Sequence, residues 1–218
     1  MNQPPRAGMY SLRAELFARL SLAGIALYVV LDIIAQVLPP HYNPISQAES
    51  DLAVGPFGVV MAVNFVVRGL LSVAAVTALQ SSLPDKARSR AGEFLLSIWA
   101  IGAIILAFYP TDLQGQHATV HGLIHLAVAL VAFVTGAIGE LLLSLRLRAS
   151  SHMQPIASFS LGIAIIAIIM LLILLVTEQS VIGQHYFGLL ERLFLGTVLL
   201  WIAVVMARLQ TGQKEKLL

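Results

Sequence analysis

Six long apolar runs, separated by short polar connections, leave this 218-residue chain few ways to fold. They fall at about 16–38, 57–79, 94–109, 117–145, 156–177 and 188–207. An α-helix needs about 20 apolar residues to cross a hydrocarbon layer of ~30 Å. Inside that layer no water pairs with the backbone, so a spanning segment is either a helix or part of a closed barrel. The runs are too long for barrel strands and do not alternate apolar with polar positions. The expected fold class is therefore all-α: a polytopic transmembrane bundle of six helices forming a single domain. Composition agrees. Charged residues make up 11% of the chain, against roughly 25% in a soluble domain, and the mean hydropathy is +0.88. Arg6 and Arg13 precede the first run as they would in a signal peptide. That run continues to Leu38 without a small-x-small cleavage site, so it reads as a retained first span.

The connections carry an orientation signal. Lys and Arg occur before the first run (Arg6, Arg13), after the second (Lys86, Arg88, Arg90), after the fourth (Arg146, Arg148) and after the sixth (Arg208, Lys214, Lys216). The three remaining connections hold no Lys or Arg, and their charges are Glu49, Asp51, Asp112 and Glu178. Cytoplasmic loops are the ones enriched in Lys and Arg. Both termini are thus expected in the cytoplasm, and the pattern fits a bacterial cytoplasmic membrane.

Several functions are disfavoured. The net charge of +2 is spread over separate loops, so no nucleic-acid surface is expected. The chain has no cysteine, which removes disulfides, thiolate chemistry and iron–sulfur clusters. Neither a glycine-rich phosphate loop nor a nucleophile elbow is present. Glycines in the runs, among them Gly69, Gly102 and Gly136, suit close helix packing.

The ionisable residues in or beside the runs direct attention to the outer half. An ionisable group inside a span marks a functional site or a buried pair. Asp32, Arg68, Glu191 and Arg192 fall inside or at the edge of runs, with His41, Glu49 and Asp51 in the first outer loop. Arg68 lies too deep to reach water easily. It needs an anion, for which Asp32, Glu191 or a lipid phosphate are candidates. Glu191 and Arg192 point ~100° apart on a helix, so each is expected to bond a different neighbour. Arg68, Glu191 and Arg192 are the candidate binding residues. Ser46 and Glu49 have capping-box spacing, which reads as a short helix start. Glu140, near the inner end of the fourth run, stands apart from this group.

His117, His121 and His125 repeat at i, i+4 and i+8 and would spread over about 80° of one helix face. Such a cluster admits three readings: hydrogen-bonded structural histidines, a metal site or a proton relay. For a metal, His121 and His125 with Asp112 would be the ligands and zinc the expected ion. Asp51, Asp112, His121 and His125 are then the candidate catalytic residues. Three functions follow. The first is a non-enzymatic structural, lipid-binding or accessory component of a membrane complex, with membrane lipids as its partners. The second is an outer-face metal-dependent hydrolase or lipid-modifying enzyme. The third is a haem-binding or proton-relay protein.

Three stretches carry a resemblance. HYNPISQAESDLAVGPFGVVMAVNFVVRGLL, FYPTDLQGQHATVHGLIHLAVALVAF and GLLERLFLGTVLLWIAV occur in the order, and at the spans, of the bacterial membrane family called domain of unknown function 998. The shared elements are Asn43 to Asp51, Gly55 to Gly58, Pro110–Thr111–Asp112, His121, Gly122, His125, Glu191 and Arg192. The resemblance implies a compact helical membrane bundle and no particular reaction. More weakly, the chain resembles intramembrane hydrolases of the alkaline ceramidase and adiponectin receptor type. Those hold zinc among histidines from different spans, whereas here the histidines crowd onto one.

Overall fold

The computed structural model describes residues 7–177 and 180–214. They form six helices: α1 (Ala7–Val37), α2 (Gly58–Ser82), α3 (Arg90–Leu106), α4 (Val120–Leu147), α5 (Gln154–Thr177) and α6 (Val181–Lys214). Short 3-10 turns occupy Glu49–Ala53 and Asp85–Ala87. Of the charges that carry the orientation signal, Arg6, Glu178 and Lys216 lie outside the described residues. Each helix packs against the next and α6 returns to α1, so the bundle closes into a ring, with α2 and α4 also reaching α6.

Helix boundaries follow local chemistry. α1 stops ahead of Pro39 and Pro40, which cannot continue a helix. The hydroxyls of Ser89 and Thr119 accept the N–H groups of Gly92 and Gly122 and so cap α3 and α4. The Thr119 cap starts α4 at Val120, which corrects the expected fourth span: His117 lies ahead of the helix, and only His121 and His125 ride on it.

The expected all-α bundle of six helices is present, and most of its helices have the length and apolarity of a span. Among the described residues five helices are long and apolar enough to cross a membrane: Leu12–Val37, Gly58–Ser82, Val120–Leu147, Gln154–Thr177 and Gly183–Gln210. The third helix has 17 residues, hence a rise of ~26 Å, short of the ~30 Å of hydrocarbon. The flanks of the long helices are apolar and exposed, as at Val30 and Ile33 on α1, Leu123 and Leu126 on α4, and Ile165 and Leu172 on α5. A chain with such flanks in water would expose far more contiguous apolar surface than a soluble monomer does. This is a multi-pass membrane bundle.

Two indole–hydroxyl pairs tie helices together inside the bundle. Trp99 and Trp201 are both fully buried. The Trp99 indole donates to the Ser72 hydroxyl at 3.1 Å, tying α3 to α2. The Trp201 indole donates to the Ser144 hydroxyl at 2.7 Å, tying α6 to α4. Phe133 and Phe194 fill the space beside Trp99, with ring centroids 4.9 Å apart. The crossing of α2 and α3 is close enough to require glycine: a Cβ on Gly69 would sit 2.7 Å from the Ala100 carbonyl oxygen. Backbone cannot swing aside as a side chain can. Gly69→Ala is expected to lower stability by about 1–3 kcal/mol, read as a fall in the unfolding midpoint of detergent-solubilised protein. An unchanged midpoint would mean that the two helices separate freely.

Candidate functional site

The loop between α1 and α2 folds back over one end of the bundle, and its Glu49 side chain goes inward. Glu49 is 2% exposed although it belongs to a loop. Groups from three helices hold it. The Tyr28 hydroxyl of α1 donates to one carboxylate oxygen. The Arg68 guanidinium of α2 stands 3.8 Å from the other. The Glu49 backbone N–H donates at 2.6 Å to the carboxylate of Glu191 on α6. The expected capping box does not form. Ala48 occupies the cap position without a side-chain bond, because the Glu49 carboxylate is spent on the bundle and not on its own turn.

Arg68 is itself 2% exposed. Its guanidinium lies between the rings of Phe65 and Trp99, 5.1 Å from each centroid, a desolvated cation–π arrangement. The Arg68 carbonyl accepts the Ser72 hydroxyl, and that hydroxyl in turn accepts the Trp99 indole. The residue that places the charge also orients the ring beneath it. Of the three anions considered for Arg68, none is its nearest partner; Glu49 is.

Arg192, one position along α6 from Glu191, serves the loop backbone. It donates to the carbonyls of Pro44, Gln47 and Gly188 at 3.2–3.3 Å and to the Tyr42 hydroxyl at 2.6 Å. Asp32 of α1 lies 4.0 Å away and accepts from Gln36. Tyr42 donates onward to the loop carbonyls of Gln47 and Ala48, and the Leu189 N–H meets the Ile45 carbonyl at 3.0 Å. Burial pushes the Glu49 carboxyl above the usual carboxylate range, against the pull of Arg68. Burial likewise raises Asp51 to about 6, opposed by a backbone hydrogen bond from Ala48 and by Arg192. Asp51 lines a recess of about 80 Å³ with Tyr42, Gln47 and Phe57. That is well below the ~300–1,000 Å³ of small-molecule pockets.

The histidine cluster is not formed. Among the described residues no group of three His, Asp or Glu side chains is placed to hold a metal ion. The reason lies in what each side chain already does. His117 precedes α4 and is exposed. His121 is exposed, with its ring 5.7 Å from that of Tyr109. His125 is buried and bonds the Tyr109 carbonyl through Nδ1 at 2.6 Å. Asp112 gives one oxygen to the Thr119 N–H and the other to the Thr119 hydroxyl, at 2.7 and 2.8 Å. His41 and His185 are exposed, and His185 Nδ1 meets the Val181 carbonyl of its own helix. The zinc set of His121, His125 and Asp112 is therefore withdrawn. The Asp112 carboxylate rests against Gly122, where a Cβ would collide with it, so Asp112, Thr119 and Gly122 act together as the start of α4.

Residues 22–208 match the family model described as protein of unknown function, DUF998. The chain belongs to the DUF998 family. No curated protein and no solved structure matches it. Within this DUF998 chain, sequence reasoning noted Asp32, Arg68, Glu191 and Arg192 but assigned Glu49 to a helix start and left Tyr28 and Tyr42 aside. One signal was available for Glu49: an acid in the loop that leads directly into the span carrying the buried Arg68.

The cap at α4 predicts an acid response. Hydrogen bonds from Thr119 hold the Asp112 carboxyl below the usual aspartate range. A depressed carboxyl stabilises the fold above its unfolded pKa, and that contribution is lost as pH falls through the lower folded value. Backbone amide exchange at Val120–Leu123, taken relative to the intrinsic rate at each pH, is expected to accelerate over that acid range in the wild type. Thr119→Ala is expected to accelerate it already at neutral pH, for a cap loss of about 0.5–2 kcal/mol. Equal protection in both proteins would remove the cap from the account of α4.

Proposed function

We propose that this DUF998 protein is a six-crossing, non-enzymatic component of the membrane, with both ends in the cytoplasm. In this reading the cluster around Glu49 is a pin. It fastens the outer loop to α1, α2 and α6, and so presents a fixed outer surface to membrane lipids or to a larger membrane complex. One observation carries the reading. Each principal residue of the cluster, Tyr28, Glu49, Arg68, Glu191 and Arg192, makes at least one polar contact with another part of the same chain. A site kept for a substrate would leave some of these groups turned to an opening.

The six-crossing topology is supported by the alternation of basic and acidic connections. It is supported also by the end of α3, where the N–H groups of Ala107, Phe108 and Tyr109 bond to carbonyls three residues back. That turn carries the chain on from Leu106 to Tyr109 and so lengthens the apolar path beyond the end of α3 towards what the hydrocarbon layer requires. Because the chain contains no cysteine, single cysteines report topology cleanly. Lys86→Cys is expected to react with a membrane-impermeant maleimide only from the inside, and Gln116→Cys only from the outside. Labelling of both from one side would put α3 on the membrane surface and end the six-crossing reading.

The pin itself is tested by a double-mutant cycle. Removing one member of a buried charge pair typically costs about 3–5 kcal/mol, because its partner is left uncompensated. Glu49→Gln and Arg68→Met are each expected to cost about that much, and the double variant clearly less than their sum. Unfolding in lipid nanodiscs, followed by tryptophan fluorescence, measures all four proteins. Additive losses would deny the coupling on which the pin depends.

A further inference from the structure

Glu140 is the buried ionisable group that the cluster around Glu49 does not explain. It lies on α4, is 0% exposed, and neither of its carboxyl oxygens has a hydrogen-bond partner among the described residues. One turn further along α4, the Ser144 hydroxyl accepts the Trp201 indole of α6 and donates to the Ser160 carbonyl of α5. Glu140 therefore projects from α4 beside the point where α4, α5 and α6 meet. The Ser160 hydroxyl, also fully buried, is the other polar group near that meeting point without a partner.

Among the described residues no cation forms an ion pair with Glu140. α5 contains no Asp, Glu, Lys, Arg or His over its whole length. α6 has none between Arg192 and Arg208, and α3 has none beyond Glu93. Arg88, at the Glu93 end of α3, is committed to Glu93 through two bonds of 2.8 and 2.7 Å. An isolated carboxylate in such surroundings costs far more than any single contact in a protein returns, so a carboxyl placed there is neutral. The neutral acid has one O–H to donate and no net charge to bury.

We propose that Glu140 is a proton-binding site in the interior of the bundle, occupied in the resting protein. The ligand is the proton itself, taken up on one carboxyl oxygen to give the neutral acid. The proposal stands apart from the pin at Glu49, which lies towards the opposite ends of the helices and shares no hydrogen-bonded residue with it.

The test is infrared spectroscopy of the full chain in lipid bilayers at neutral pH, comparing wild type with E140Q. The wild type is expected to show one carboxylic-acid C=O stretch that E140Q lacks, with the carboxylate bands unchanged. That stretch should move on transfer to D2O. E140Q, which keeps the shape of the neutral acid, is expected to unfold at the wild-type midpoint. Should E140Q fail to fold, E140L supplies the same difference spectrum. Loss of the carboxylate bands in place of the acid stretch, or no difference at either, would overturn the proposal.

Discussion

A guanidinium held away from water must be answered by the protein around it, and Arg68 sets that requirement for half of this bundle. Its position along α2 corresponds to ~15 Å from the start of that helix, beyond an easy reach to the interface. The answer comes from a loop and not from a neighbouring helix. Glu49 descends from the α1–α2 connection, and to hold it there the bundle supplies the Tyr28 hydroxyl from α1 and the Glu191 carboxylate from α6. Once Glu191 has turned to Glu49, Arg192 points to the other side and takes the loop carbonyls. The path of the loop, the register of α6 and the stacking of Trp99 thus share one electrostatic origin.

The two ends of the bundle solve the burial problem differently. Towards the α1–α2 loop, charge is matched by charge. Towards the opposite end, the interior is aromatic and aliphatic, and its polar atoms are neutral: the Ser144 hydroxyl bonded to Trp201, and the Ser160 hydroxyl. Glu93 and Arg88 close that end with a two-point pair near the surface. Glu140 also lies within this apolar half, and among the described residues its carboxyl has no hydrogen-bond partner.

Much of this architecture is legible from sequence, for a physical reason. Hydrocarbon imposes length and apolarity on every span, so the runs that became α1, α2, α4, α5 and α6 are visible without coordinates. α3 is the shortest of the six because its apolar run ends in a turn at 107–109, and turn geometry leaves no mark on hydropathy. The site was less legible. Arg68 announces that it needs an anion but not which one, because the pairing with Glu49 depends on how the loop folds back over α2. The histidines show the opposite failure. Spacing of i, i+4, i+8 has meaning only on one continuous helix, and the Asp112–Thr119 cap begins that helix after His117. A capping carboxylate and a metal-binding carboxylate look alike in a sequence. They differ in what surrounds them, here Thr119 and a glycine with no Cβ to obstruct the approach.

The grip of Arg192 on the loop has an evolutionary corollary. Arg192 meets Pro44 and Gln47 through their carbonyls, and α6 reaches Ile45 the same way through the Leu189 N–H. Carbonyls are common to every amino acid, so this recognition reads the path of the loop and is blind to the letters at 44–47. An inserted or deleted residue would move the carbonyls out of reach. The attachment thus acts as a ruler on the loop, fixing its length from the side of α6.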